Sequence, residues 1–260
     1  GDILDYSKLS IEEIKDIISN ADLEERNRLI GLLENDNRKG VKRLSERLRK
    51  EIIGHNKEIA RIKKLKEYEY KYISKGAKYI AGVDEVGRGP LAGAVYACAV
   101  IMPIEAIIEG IDDSKKLSPE KRERLSLEIK ENAISYGIGY VDEKQIDRVN
   151  ILNATYMAMK KAIDNLYVRP TVVLVDAIRI PNVNIFQVPI IKGDSISFSI
   201  AAASIVAKVE RDNYMNRLHN EFPVYNFSKN KGYGTQEHID AIKKYGPCPY
   251  HRKSFIKNIV

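Results

Sequence analysis

Hydrophobic positions change their spacing once along this chain, near Gly76. Before it they recur every three or four residues, the period of an amphipathic helix. Ser10 with Glu13, and Asp22 with Glu25, each fit a capping box and predict two helix starts. Leu29, Leu32 and Leu33 follow at helical spacing. From Val41 a second pattern sets Leu44, Leu48 and Ile52 on one side of a helix otherwise covered by Arg and Lys. After Gly76, short β-prone apolar runs take over: Tyr79–Asp84, Ala94–Ile101, Ser135–Val141, Thr171–Asp176 and Ile185–Val188. The run TVVLVD is apolar up to its last residue, as expected of a strand buried on both faces. Helices are predicted over Asp147–Leu166, over Ser195–Leu218 with its small IAAAS run, and from Gln236 to the stop at Tyr245-Gly246-Pro247. This alternation predicts an α/β domain over 76–260, with a mixed central sheet flanked by helices and a helical C-terminal region. A helical, basic N-terminal extension over 1–75 precedes it.

Composition narrows the class. At 260 residues, with 44% hydrophobic and 30% charged, the chain can bury a core and is not mostly disordered. No apolar run approaches the ~20 residues needed to span a bilayer, and the acidic opening is unlike a signal peptide, so no membrane partner is expected. With Gly1 in place of an initiator Met, a processed or engineered start is expected. Cys98 and Cys248 lack CxxC spacing, which argues against a disulfide framework or structural zinc and fits a reducing cytoplasm. The four histidines, at 55, 219, 238 and 251, show no metal-ligand spacing. No hydrophobic heptad seam asks for a dimer, and a monomer is expected. The net charge of +7 is unevenly spread. Residues 1–37 hold four Lys/Arg against ten Asp/Glu, whereas 38–78 hold fifteen against five. That basic block reads either as a polyanion-binding surface or as a solvated helix face.

The candidate chemistry lies in the second domain. Asp84 and Glu85 end one strand, Asp176 ends another, and Asp194 stands in KGDS before the long helix. Acids at the carboxyl ends of neighbouring strands can converge on the sheet edge where α/β proteins bind ligands. Four carboxylates together repel unless cations sit among them, and hard ions such as Mg²⁺ or Mn²⁺ take such oxygen ligands. Two such ions can activate water and stabilise the leaving oxygen of a phosphodiester. Adjacent strand residues face opposite sides, so for Asp84 and Glu85 both to serve, a bend between them is expected from the following glycines.

The loop Gly87-Arg88-Gly89-Pro90-Leu91-Ala92-Gly93 fails the GxGxxG pattern, and no GxxxxGK[ST] is present. Its glycines would let backbone groups approach a ligand, with Arg88 free for phosphate. Tyr233, inside KNKGYGT, either stacks on a sugar or base or packs on its own domain. Ser114, Lys115 and Lys116 in DSKKL, and His251-Arg252-Lys253-Ser254, offer hydroxyl and cationic groups suited to phosphate. Asp112, Asp142, Glu143 and Asp212 read as surface or capping acids.

Six segments in order, DEVGRGPLAG, DSKKL, LVDA, KGDSISFSIAAASIVAKVERD, KGYGT and HRKSF, resemble the bacterial ribonuclease HII family, the type 2 ribonucleases H. The resemblance spans about residues 76–255. Arg88 between two glycines favours this family over the related ribonuclease HIII, where lysine is usual. It implies a ribonuclease H-like fold and metal-dependent endonucleolytic cleavage, with Mn²⁺ or Mg²⁺, of RNA paired with DNA. The implied substrates include a ribonucleotide-containing DNA duplex. It places metal ligands at Asp84, Glu85, Asp176 and Asp194, 2′-hydroxyl sensing at Gly87, Arg88 and Gly89, and a substrate-sensing tyrosine at Tyr233. Residues 1–70 extend beyond the family's minimal core. Two rivals stay open: a hybrid-binding module without catalysis, and a nuclease of the same fold acting on DNA alone.

Overall fold

The computed structural model describes residues 4–260, and the chain divides into two compact units at Arg61/Ile62. The first unit holds α1 (Ile11–Asn20), α2 (Leu23–Leu33) and most of α3 (Lys39–Leu65). Its core gathers Ile14, Leu29, Leu33, Val41, Leu44, Leu48 and Ile52. Leu32 stays out, 47% exposed, because it lies one residue off the buried stripe. Ser10 and Glu13 form the full reciprocal capping box. Asp22 only accepts from the Glu25 amide, at 2.8 Å.

In the second unit α4 (Glu67–Ser74) leads into β1 (Ile80–Val86) and β2 (Val95–Ile101). Then follow α5 (Pro119–Asn132), β3 (Ser135–Val141), α6 (Glu143–Val149), α7 (Ile151–Asp164), β4 (Val172–Asp176) and β5 (Phe186–Ile190). The chain ends through α8 (Gly193–Ile196), α9 (Phe198–Glu221), α10 (Phe227–Asn230) and α11 (Gln236–Tyr245). The sheet order is β3-β2-β1-β4-β5; β2 is antiparallel to both its neighbours, and β1, β4 and β5 run parallel. Parallel neighbours β1 and β4 therefore bring their carboxyl ends, and their acids, to one edge.

Helix α9 covers one face of the sheet and α7 the other. Both come close because glycines face them. A Cβ on Gly82 would lie 2.1 Å from the Ser199 carbonyl carbon of α9, a backbone atom that cannot step aside. Gly82→Ala is therefore expected to cost about 3 kcal/mol, or roughly 6–12 °C in Tm, read by thermal unfolding. A melt unchanged within 2 °C would mean that α9 can shift away from the sheet.

Three expectations need amendment. Residues 147–166 do not form one helix: Asn150, at φ 72°, ends α6 and its side chain caps α7. Ser197 likewise separates α8 from α9, and its hydroxyl caps the latter. Helix α5, started by Ser118 and Pro119, was not anticipated, because its charged sequence buries only Leu125, Ser126 and Ile129.

Candidate active site

β1 does not bend between its two acids. Its ladder with β2 continues through Asp84↔Cys98, Glu85↔Ala97 and Val86↔Tyr96, and the turn follows at Gly87, where φ is +90°. Pairing with β4 stops earlier, at Val83↔Val175, so beyond it that side of β1 has no strand neighbour. There Glu85, one methylene longer than Asp84, comes in beside Asp84 and Asp176: one carboxylate oxygen from each of the three lies within 4.8 Å of the others. An open strand edge accomplishes what the expected bend was needed for.

The cluster is costly without a cation. Burial, then the charges of Glu85 and Asp176, push the Asp84 carboxyl well above its ordinary range. Burial, then Asp194 and Glu85, raise Asp176, although it accepts from the Gly193 amide at 2.7 Å. One buried Glu85 oxygen, Oε2, has no hydrogen-bond partner. Crowded, under-satisfied carboxylate oxygens suit a hard divalent ion.

Asp194 lies outside the three-acid group and instead meets Lys115, Nζ to Oδ2 at 3.2 Å. Burial is the largest influence on the Lys115 ammonium and lowers it, but the bond to Asp194 and the charges of Asp194, Asp113 and Asp84 together outweigh this and hold it above the ordinary value. Gly87, Arg88, Gly89, Ser114, Lys115, Asp176, Asp194 and Tyr233 all line one cleft of about 330 Å³ with Asp84 and Glu85. Lys116 is exposed and does not line it. The Ser114 hydroxyl lies 2.8 Å from that of Ser204. Ser204 and Lys208 also line the cleft, from α9. Nothing but the helical period, placing them four apart, could have marked them.

The C-terminal HRKS segment is not a phosphate-facing surface throughout. His251 and Arg252 are buried. The Cys248 amide donates to His251 Nδ1 at 2.9 Å, so the proton of neutral His251 sits on Nε2. That nitrogen meets His238 Nε2 at 2.9 Å, and His238 Nδ1 then donates to the Tyr233 carbonyl at 2.8 Å. Burial, then its neighbour His238, lowers His251 to about 4. A histidine depressed on folding contributes stability that is present above its unfolded value, ~6.5, and lost as pH falls toward about 4. His251→Gln cannot take up that proton. It should melt lower than the parent at pH 7.5, yet lose fewer degrees between pH 6.5 and 4.5.

The other acids divide. Asp142 caps α6 through the Gln145 amide, and Asp112 accepts from the Asp113 amide. Asp212 is largely covered and pairs with Lys208 at 2.8 Å. Glu143 is buried rather than superficial, since the first turn of α6 packs inward.

The mixed five-stranded sheet with helices on both faces defines the ribonuclease H-like fold. Ribonuclease H2 from Pyrococcus horikoshii OT3 aligns with TM-score 0.58 at 25% identity, covering 70% of this chain and 97% of that one. The RNase HII solved with PCNA from Archaeoglobus fulgidus aligns with TM-score 0.59 at 25% identity, covering 69% and 96%. The Ribonuclease HII family model matches residues 81–258, and the Ribonuclease HII N-terminal domain model matches 10–73. The extension is thus a family module too. Ribonuclease HII of Clostridioides difficile (strain 630) is 51% identical over 96% of this chain and 98% of its own. That of Caldanaerobacter subterraneus subsp. tengcongensis is 59% identical over 78% and 85%. The chain belongs to the ribonuclease HII family and is a ribonuclease H endonuclease. No helix among the described residues is long and apolar enough to cross a membrane.

Proposed function

We propose that this chain hydrolyses the RNA strand of RNA/DNA hybrids and cuts at single ribonucleotides embedded in duplex DNA, leaving 5′-phosphate and 3′-hydroxyl ends. One observation carries the reading: Asp84, Glu85 and Asp176 meet within 4.8 Å in the same cleft as Gly87–Gly89 and Tyr233. With Asp194, these acids would hold Mn²⁺ or Mg²⁺. Such ions, when bound, make water nucleophilic at neutral pH and offset charge building on a scissile phosphate. Asp84 and Asp194 are buried apart from the part of each that lines the cleft. Lys115, exposed at the rim, would meet a substrate phosphate.

The stripped loop leaves backbone uncovered for a ribose, and Tyr233 offers a ring to stack and a hydroxyl to bond. The 2′-hydroxyl is the group that separates RNA from DNA. The basic stretch over 38–78 would add sequence-independent attraction to the phosphate backbone. The activity fits the cytoplasm and the removal of ribonucleotides from DNA.

The test is cleavage of a duplex holding one ribonucleotide, with and without divalent metal, beside an RNA/DNA hybrid and an all-DNA duplex, with end analysis of the products. Metal-dependent cuts in the first two alone are expected. Binding without cleavage would support a passive module, and cutting of all-DNA a deoxyribonuclease.

A further inference from the structure

Two arginines beneath the Gly87–Ala94 loop take no part in the chemistry above. Arg211, on α9, and Arg252 are both 0% exposed. Neither pairs with a carboxylate among the described residues; backbone carbonyls hold them both. Arg252 donates to Gly93 from Nε at 2.9 Å, to Arg88 from Nη1 at 2.9 Å and to Gly87 from Nη2 at 2.6 Å. Arg211 donates to Ala94 from Nε at 2.9 Å, to Ala92 from Nη2 at 3.0 Å and to Lys231 from Nη1 at 2.6 Å. A buried cation without a counter-ion carries a large desolvation cost, which an apolar side chain of similar volume would avoid. The grip on the carbonyls is what distinguishes arginine here.

Peptide geometry says what that grip does. In a trans peptide the N–H points opposite to the C=O, and no cis peptide occurs among the described residues. With the Gly87 and Arg88 carbonyls drawn inward to Arg252, the amides of Arg88 and Gly89 point away from it, toward the cleft that both residues line. Neither amide has a hydrogen-bond partner among the described residues. Successive free amides form a donor pair suited to an oxygen ligand.

Arg211 reaches across to the second reading element. It bonds the carbonyl of Lys231, two residues before Tyr233, and its guanidinium lies 6.0 Å from the Tyr233 ring centroid. It also accounts for Gly87, where a Cβ would fall 2.2 Å from Arg211 Nε.

We propose that Arg211 and Arg252 are positioning residues for ribose recognition: Arg252 aims the Arg88 and Gly89 amides at the 2′-hydroxyl, and Arg211 fixes that loop against the Tyr233 segment. The identity of the ligand rests on the functional reading above; the clamp itself rests on the hydrogen bonds.

Arg252→Lys keeps the charge but loses the planar fork that holds three carbonyls. The assay compares its rates and KM with the parent's on a duplex with one ribonucleotide and on the same duplex carrying a 2′-fluoro sugar there. The factor lost on removing the hydroxyl should shrink by about tenfold or more in the variant, the worth of one well-formed hydrogen bond. KM for the ribonucleotide duplex and the metal-titration midpoint should stay within about twofold. An unchanged factor, with both substrates slowed equally, would assign Arg252 a merely structural role and overturn the proposal. Should Arg252→Lys fail to fold, Arg211→Lys combined with Tyr233→Ala decides the matter. The joint loss should be smaller than the product of the single losses, and a simple product overturns the coupling. A parent that cleaves no ribonucleotide duplex would instead count against the functional reading.

Discussion

Asp84→Asn is expected to lower cleavage by about a thousandfold or more while raising the melting temperature of the metal-free protein. Both effects have one cause. The carboxylate sits with two others in a buried cluster, where burial and their charges raise its proton affinity well above the ordinary carboxyl value. The sign follows directly. A carboxyl whose folded pKa is raised costs stability at every pH above its unfolded value, and regains it only as pH falls through that window. An amide of nearly the same shape removes that cost at neutral pH, and each kcal/mol relieved is worth roughly 2–4 °C of Tm in a chain of this size. The same amide removes a charged oxygen ligand, and about 4 kcal/mol of transition-state stabilisation corresponds to the expected rate loss. Calorimetry in EDTA and after adding Mn²⁺ reads the pair. The parent should gain more from the metal than the variant does. An active Asp84→Asn protein, or one that melts lower in EDTA, would remove Asp84 from this role.

Tyr233→Ala should slow cleavage at a lone ribonucleotide by about 10–100-fold, the worth of one base or sugar stacked on an aromatic ring. The ring is 41% exposed, so its loss should leave Tm nearly unchanged. Its Cε1 lies 3.6 Å from where a Gly89 Cβ would stand, so ring and glycine loop face one volume. Tyr233→Phe divides the effect, because it keeps the stack and deletes the hydroxyl. Single-turnover rates on the one-ribonucleotide duplex check both variants, and an unchanged rate for Tyr233→Ala would reduce it to a packing residue.

Much of this molecule was legible along the chain. Short β-prone apolar runs placed all five strands within two residues of their observed ends. Local chemistry placed the cap at Ser10 and the stop at Gly246. Helix α5 was hidden because its solvent face is charged and its buried face too short to show a period. The break at Asn150 was hidden because one residue in the left-handed region leaves the apolar pattern on either side intact.

By itself the sequence determined which residues could do chemistry: acids at strand ends, a loop without side chains, an aromatic between glycines. Only the tertiary structure decided which of them meet. Parallel pairing of β1 and β4 brought Asp176, 92 positions away, beside Asp84, and the early end of that pairing left the edge at which Glu85 joins them. Asp194, paired with Lys115, stayed outside that three-acid group while its charge still acts on Asp176. Arg252, read along the chain as a cation for phosphate, turned inward to hold a loop 165 positions earlier. Periodicity reports the environment of a position, whereas distance between remote side chains is fixed by strand order and helix packing, which no local pattern encodes.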